Sequence, residues 1–241
     1  MTVQTIPAAP LVLLRIRLRK PAVEVTAPEK RKLTYEEFLA WADEDTLAEW
    51  VDGEVIVTSP ASRQHQETSN FLNILLSFYA SAHKLGRVLL PPFQVKLGPD
   101  LPGREPDLLF VAREHLERLK ETHLDGPADL AVEIVSPESR ERDRGAKFYE
   151  YETAGVGEYW LIDPQRRQAE FYQLGEDGFY HPVSSDAEGV YHSAILPGFW
   201  LRVDWLWQDP LPTPVETLRL LTEILGDSPE SETVRAFLAQ A

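Results

Sequence analysis

Two runs of strand-forming apolar residues in this sequence each carry a carboxylate: Asp107-Leu108-Leu109-Phe110-Val111, opened by Pro106, and Leu130-Ala131-Val132-Glu133-Ile134-Val135. Both read as buried strands of a central sheet. An acid taken into such a strand costs several kcal/mol unless it is paired or coordinates a metal. For either acid alone, a solvated or hydrogen-bonded strand-end carboxylate is the better explanation, and only the pair reverses that preference. Two acids on neighbouring strands repel each other, and a divalent cation relieves that repulsion. Hard cations such as Mg²⁺ take one or two carboxylates and complete their shell with waters and phosphate oxygens.

The flanking text supplies the other elements. Thr34-Tyr35-Glu36-Glu37 is a capping box that opens a short helix. Asp52-Gly53 between two β-rich runs predicts a hairpin, because both turn positions favour positive φ. A long amphipathic helix is expected from Ser62 to about Leu85, with Phe71, Leu72, Leu75, Leu76, Phe78 and Tyr79 toward the core. Short strands follow near Val88–Leu90 and Phe93–Leu97, then a short helix from Arg113 to Lys120. One helix is expected from about Glu138 to Ala154, ended by Gly155. Glu158–Asp163 and Ala169–Tyr172 read as a strand pair around Pro164, and Gly175–Asp204 as strand-and-turn text. A helix near Val215–Leu225 leads into a polar, frayed tail. This order is α/β or mixed α+β, with one central sheet flanked by helices and an extra β-rich segment toward the C-terminus.

At 241 residues the chain suits one domain with added arms. It has no cysteine, which excludes disulfides, a thiol nucleophile and a thiolate zinc site. No apolar stretch approaches the roughly 20 residues needed to span a bilayer, so a cytoplasmic location and no membrane partner are expected. The net charge of −15 argues against a passive nucleic-acid coat. Residues 1–33 nevertheless carry seven Lys/Arg against two acids. Within this arm, Leu11–Arg19 reads as a strand, either an edge strand or loose tail or a DNA-steering element. An acidic body that meets a polyanion needs bound cations. Ser136 lacks the Gly-x-Ser-x-Gly elbow of serine hydrolases, and no glycine-rich phosphate loop supports a nucleotide cofactor.

Pro106-Asp107 followed by Glu133 in a hydrophobic strand resembles the PD-(D/E)XK, or restriction-endonuclease-like, nuclease superfamily. The longer segments "EWVDGEVIVTSPASRQHQ", "EPDLLFV", "DLAVEIVSPESRERDRGAKFYEYETAGVGEYWLIDP" and "LPGFWLRVD" are similar to a large bacterial branch of it. The resemblance covers roughly residues 33–205, with an arm at 1–32 and a helical tail at 206–241 outside it. It implies that Asp107 and Glu133 are metal ligands on adjacent strands. Glu49 matches the acid that precedes the branch's glycine hairpin and reaches the same site. The superfamily's lysine, two residues after the second acid, is Val135 in this chain. The resemblance points instead to Lys147 on the following helix, although Asp143 and Lys147, four apart, also suit a plain ion pair.

The chemistry implied is Mg²⁺- or Mn²⁺-dependent hydrolysis of DNA, with Asp107, Glu133, Glu49 and Lys147 as the catalytic set. His65 falls where the branch often carries a histidine, and either contacts substrate or lies on the surface at a helix start. Arg142 and Arg144 belong to a basic cluster that suits either phosphate contact or a salt-bridged helix. Tyr159 and Trp160 are expected in the core, and Trp200, Trp205 and Trp207 in packing or a dimer contact. Relatives that cut both strands as dimers imply a homodimer. The alternative is a catalytically weak or inactive binding module of the same fold, which Val135 and the acidic body favour and the three acids oppose.

Overall fold

The computed structural model describes residues 32–42, 47–57 and 61–240; the strand expected at Leu11–Arg19 lies outside them. Helix α1 (Tyr35–Trp41) starts at the reciprocal cap of Thr34 and Glu37, both bonds being formed. Strands β1 (Ala48–Val51) and β2 (Glu54–Val57) make the Asp-Gly hairpin, with φ of 50° at Asp52 and 87° at Gly53. Helix α2 (Arg63–Ala82) is capped by Ser62, whose hydroxyl accepts from the His65 amide. It buries Phe71, Leu72, Leu75, Leu76 and Tyr79. Phe78, expected on that face, is exposed; at about 100° per residue it stands roughly 90° from the stripe's centre.

The chain continues through β3 (Gly86–Leu89), β4 (Gln94–Lys96), β5 (Gly103–Arg104), β6 (Leu108–Ala112), β7 (His123–Asp125) and β8 (Leu130–Ile134). The segment after β6 forms a 3-10 turn, Arg113–Arg118. The single helix expected over 138–154 is two, α3 (Arg140–Arg144) and α4 (Ala146–Ala154), broken at Gly145. A Cβ at Gly145 would stand 2.7 Å from the Glu141 carbonyl oxygen, so only glycine lets the chain turn this tightly. Then come β9 (Glu158–Asp163), β10 (Gln168–Leu174), β11 (Tyr180–Val183), the pair β12 (Val190–His192) and β13 (Trp200–Arg202), and helices α5 (Pro214–Leu225) and α6 (Pro229–Leu238). The expected frayed tail is therefore helical. Ser228 caps α6 above Pro229, and Ser231 donates to the Thr222 carbonyl.

The central sheet runs β11-β10-β9-β8-β6-β3. Its pairs are antiparallel except β8 with β9, whose parallel pairing requires the α3–α4 crossover. A second sheet, β2-β1-β5-β4-β7, packs beside it. The alternation of strand side chains divides the core. Leu108, Phe110, Leu130, Val132, Trp160 and Ile162 face α2, α5 and the C-terminal strand pair. Leu109, Val111, Ala131, Val135, Tyr159 and Leu161 face Tyr151 of α4 and Val95 of the second sheet. Period two puts Glu133 on this second face, between Ala131 and Val135. Tyr159 and Trp160 are fully buried, and Trp205 packs into the first layer.

Candidate active site

The register Leu108↔Val132 brings the residues one step outward, Asp107 and Glu133, opposite each other at the ends of β6 and β8. Asp107 Oδ2 accepts from the Ile134 amide at 2.7 Å, and its Oδ1 lies 3.1 Å from His65 Nε2 on α2. A carboxylate is acceptor-only, so His65 Nε2 carries the proton of that bond. Burial opposes a charge on His65, but the Asp107 hydrogen bond and charge outweigh it and raise its pKa. His65 is thus neither a free surface group nor remote from the acids.

Glu133, 4% exposed, accepts through Oε1 from Lys147 Nζ and from the Tyr151 hydroxyl, both at 2.8 Å. Lys147 also lies 2.9 Å from Glu49 Oε1 and 3.7 Å from Asp143 Oδ1. Burial works against the ammonium, but Glu133, Glu49 and Asp143 more than offset it and hold its pKa well above the lysine range. For Glu133, burial pushes the carboxyl up, Lys147 draws it back in part, and the acids around it add to the rise. Val135 lines the same cavity, at the position where the superfamily pattern has its lysine, and the cation enters from α4 instead.

Glu49, on β1, is buried with Oε1 on Lys147 and Oε2 2.9 Å from Arg104. Burial raises its carboxyl, yet Lys147 and Arg104 bring it down to about 2. Arg104 and Glu105, which the sequence reading passed over, belong to this constellation. Arg104 is fully buried and forms a two-pronged pair with Glu150 of α4, at 2.6 and 2.8 Å. Glu105 lines the cavity, and burial and then the Glu49 charge push its carboxyl up to about 7.

A cavity of about 590 Å³ is lined by Glu49, His65, Asp107, Glu133, Arg142 and Lys147 among others. Arg142 stands at its edge, 3.8 Å from Glu49. Arg144 is not brought to it. Its guanidinium is 2.6 Å from Glu170 on β10, the salt-bridged arrangement that the sequence also allowed. Arg140 is similarly spent on Asp163 at 3.2 Å.

Among the described residues no three His, Asp or Glu side chains already converge as a metal cage. Mg²⁺ does not require one, since it binds through one or two carboxylates and keeps several waters. Asp107 and Glu133 are such a pair, all-oxygen, facing a cavity with room for water. The donor set therefore fits a hard divalent cation.

This fold and acid pair define a restriction-endonuclease-like protein. The model of the Uma2 family, described as "Putative restriction endonuclease", matches residues 35–204, and the chain belongs to that family. A crystal structure from Anabaena variabilis, described as "a putative nuclease belonging to DUF820", is similar in fold, with a TM-score of 0.60 and 16% identity. The match covers 73% of this chain and 97% of that one. No curated protein matches the chain.

Proposed function

We propose that the chain is a divalent-metal-dependent endonuclease that hydrolyses DNA phosphodiester bonds. The observation that carries this reading is the convergence of Asp107, Glu133 and Lys147, from two strands and a helix, on one cavity. Asp107 and Glu133 would hold Mg²⁺ or Mn²⁺. Glu49 would join them only by giving up a bond to Lys147 or Arg104. A cation bound there supplies Lewis acidity toward the scissile phosphate and acidifies water. The remaining work falls to the protein. His65 fixes the orientation of the Asp107 carboxylate. Lys147 positions the attacking water or offsets negative charge that develops on phosphorus oxygens. Arg142, which lines the cavity, would take a phosphate oxygen.

The reading extends, by analogy with relatives that cut both strands, to a homodimer, which sedimentation equilibrium checks. Supercoiled plasmid incubated with the protein and Mg²⁺ or Mn²⁺ should be nicked or linearised. EDTA and Glu133→Ala should each abolish the cleavage. Full activity in Asp107→Ala and Glu133→Ala would sink the assignment.

A further inference from the structure

Asp143 is an acid that the assignment above leaves idle. It is 1% exposed, yet neither carboxylate oxygen has a hydrogen-bond partner. Burial pushes the Asp143 carboxyl up, and Lys147 and the Ser139 hydroxyl beside it draw it down in part. That hydroxyl nevertheless donates to the Ser136 carbonyl at 3.5 Å, and the nearby Arg142 Nε, 3.8 Å from Glu49, makes no hydrogen bond. The backbone at this point is held, since the Tyr159 hydroxyl donates to the Asp143 carbonyl at 3.1 Å. A buried carboxylate without donors is costly, and such a group calls for a reason. Its nearest cation is Lys147 Nζ at 3.7 Å, just outside hydrogen-bond range.

Lys147 has three N–H donors, and two of them serve Glu49 and Glu133. A dication on the Asp107–Glu133 pair would share the Glu133 carboxylate with that ammonium. Like charges within a few ångströms repel strongly where the side chain that carries one of them is buried, as Lys147 is. Lys147 must then yield Glu133, and the acceptor standing open beside it is Asp143. Closing the gap takes a movement of about 1 Å to reach charge-assisted hydrogen-bond distance.

We propose that Asp143 is a positioning residue that receives the Lys147 ammonium when a divalent cation takes Glu133, so that Lys147 acts as a removable stand-in for the metal. The inference rests on the metal-dependent reading of the site. A static i,i+4 ion pair would stabilise the metal-free protein and leave metal affinity unchanged.

Calorimetric titration of the full chain with Mn²⁺ separates the two, using the wild type, Asp143→Asn, Lys147→Met and the double variant. The expected result is at least a tenfold weaker Mn²⁺ affinity in Asp143→Asn, with its metal-free thermal midpoint undiminished. In the Lys147→Met background, Asp143→Asn should have no further effect, because there is no ammonium to receive. An equal loss in both backgrounds would mean that Asp143 acts only through its charge, and overturns the proposal. A wild type that takes up no Mn²⁺ sinks the metal-dependent reading itself. If a variant fails to fold, crystals of the wild type with Mn²⁺ decide. Lys147 Nζ should lie within 3.2 Å of Asp143 and be released from Glu133, and an ammonium still on Glu133 overturns the idea.

Discussion

Arg104 is shared between acids from two elements, Glu49 of the hairpin and Glu150 of α4, with 1% exposure. Removing one partner of a buried pair leaves an uncompensated charge and costs about 3–5 kcal/mol. Arg104→Met should therefore lower the urea-unfolding free energy by about 3 kcal/mol. Arg104→Lys should recover only part of it, because an ammonium cannot span both acids as the guanidinium fork does. Glu105 acts with the opposite sign. Its folded pKa of about 7 lies above its ordinary value, so folding favours the protonated form. Its contribution to stability is complete below the unfolded pKa near 4.5 and disappears as pH rises through about 7. Glu105→Gln should match the wild type in urea midpoint at pH 4 and exceed it at pH 8. Of these site residues, Asp107 and Glu133 were legible as acids in apolar runs, and Lys147 only through the resemblance. Arg104 gave no signal, because β5 is two residues long and carries no periodicity that marks a buried face.

Glu158 shows how one residue can tie an element to the rest of the fold. At the start of β9, fully buried, it accepts from Trp160 Nε1 at 2.7 Å and the Ser193 hydroxyl at 2.8 Å. It also takes the amides of Ala194 and Ile195 at 3.1 and 3.0 Å, and the Tyr191 hydroxyl. Glu158→Ala would leave these donors buried without an acceptor and should cost at least about 3 kcal/mol. Hydrogen exchange should then rise first over 190–206, the segment those bonds hold. The long elements here were readable, since α2, β6, β8 and β9 each carry a clear period or an unbroken apolar run. The α3–α4 break was not, because Gly145 sits inside a text of good helix formers and only its approach to the Glu141 carbonyl explains it. Helix α6 was hidden by its Ser/Glu composition, although Ser228-Pro229 is a helix start in its own right.

At the scale of the molecule the charges lie between the two sheets. Glu49 and Arg104 come from the second sheet, Glu133 from the central one, and Lys147 and Glu150 from the crossover helix. That second sheet was expected only as scattered short strands. Its order joins β1 to β5 and β4 to β7, pairings far apart in sequence that no local pattern encodes. A cation bound by the folded site alone must stabilise the whole chain, by about 2.7 kcal/mol at a hundredfold excess over its dissociation constant. Mn²⁺ should thus raise the melting temperature of the wild type and leave that of Asp107→Ala unchanged; equal shifts in both would place the cation elsewhere.

The ion pairs that make the site are also what fills the space between Ala131, Val135 and Tyr151. Apolar residues of similar volume often serve such a position as well or better. A library of this chain screened only for heat resistance would accordingly discard Glu133 and Lys147 early, and the survivors would be sturdier proteins that had lost the proposed site.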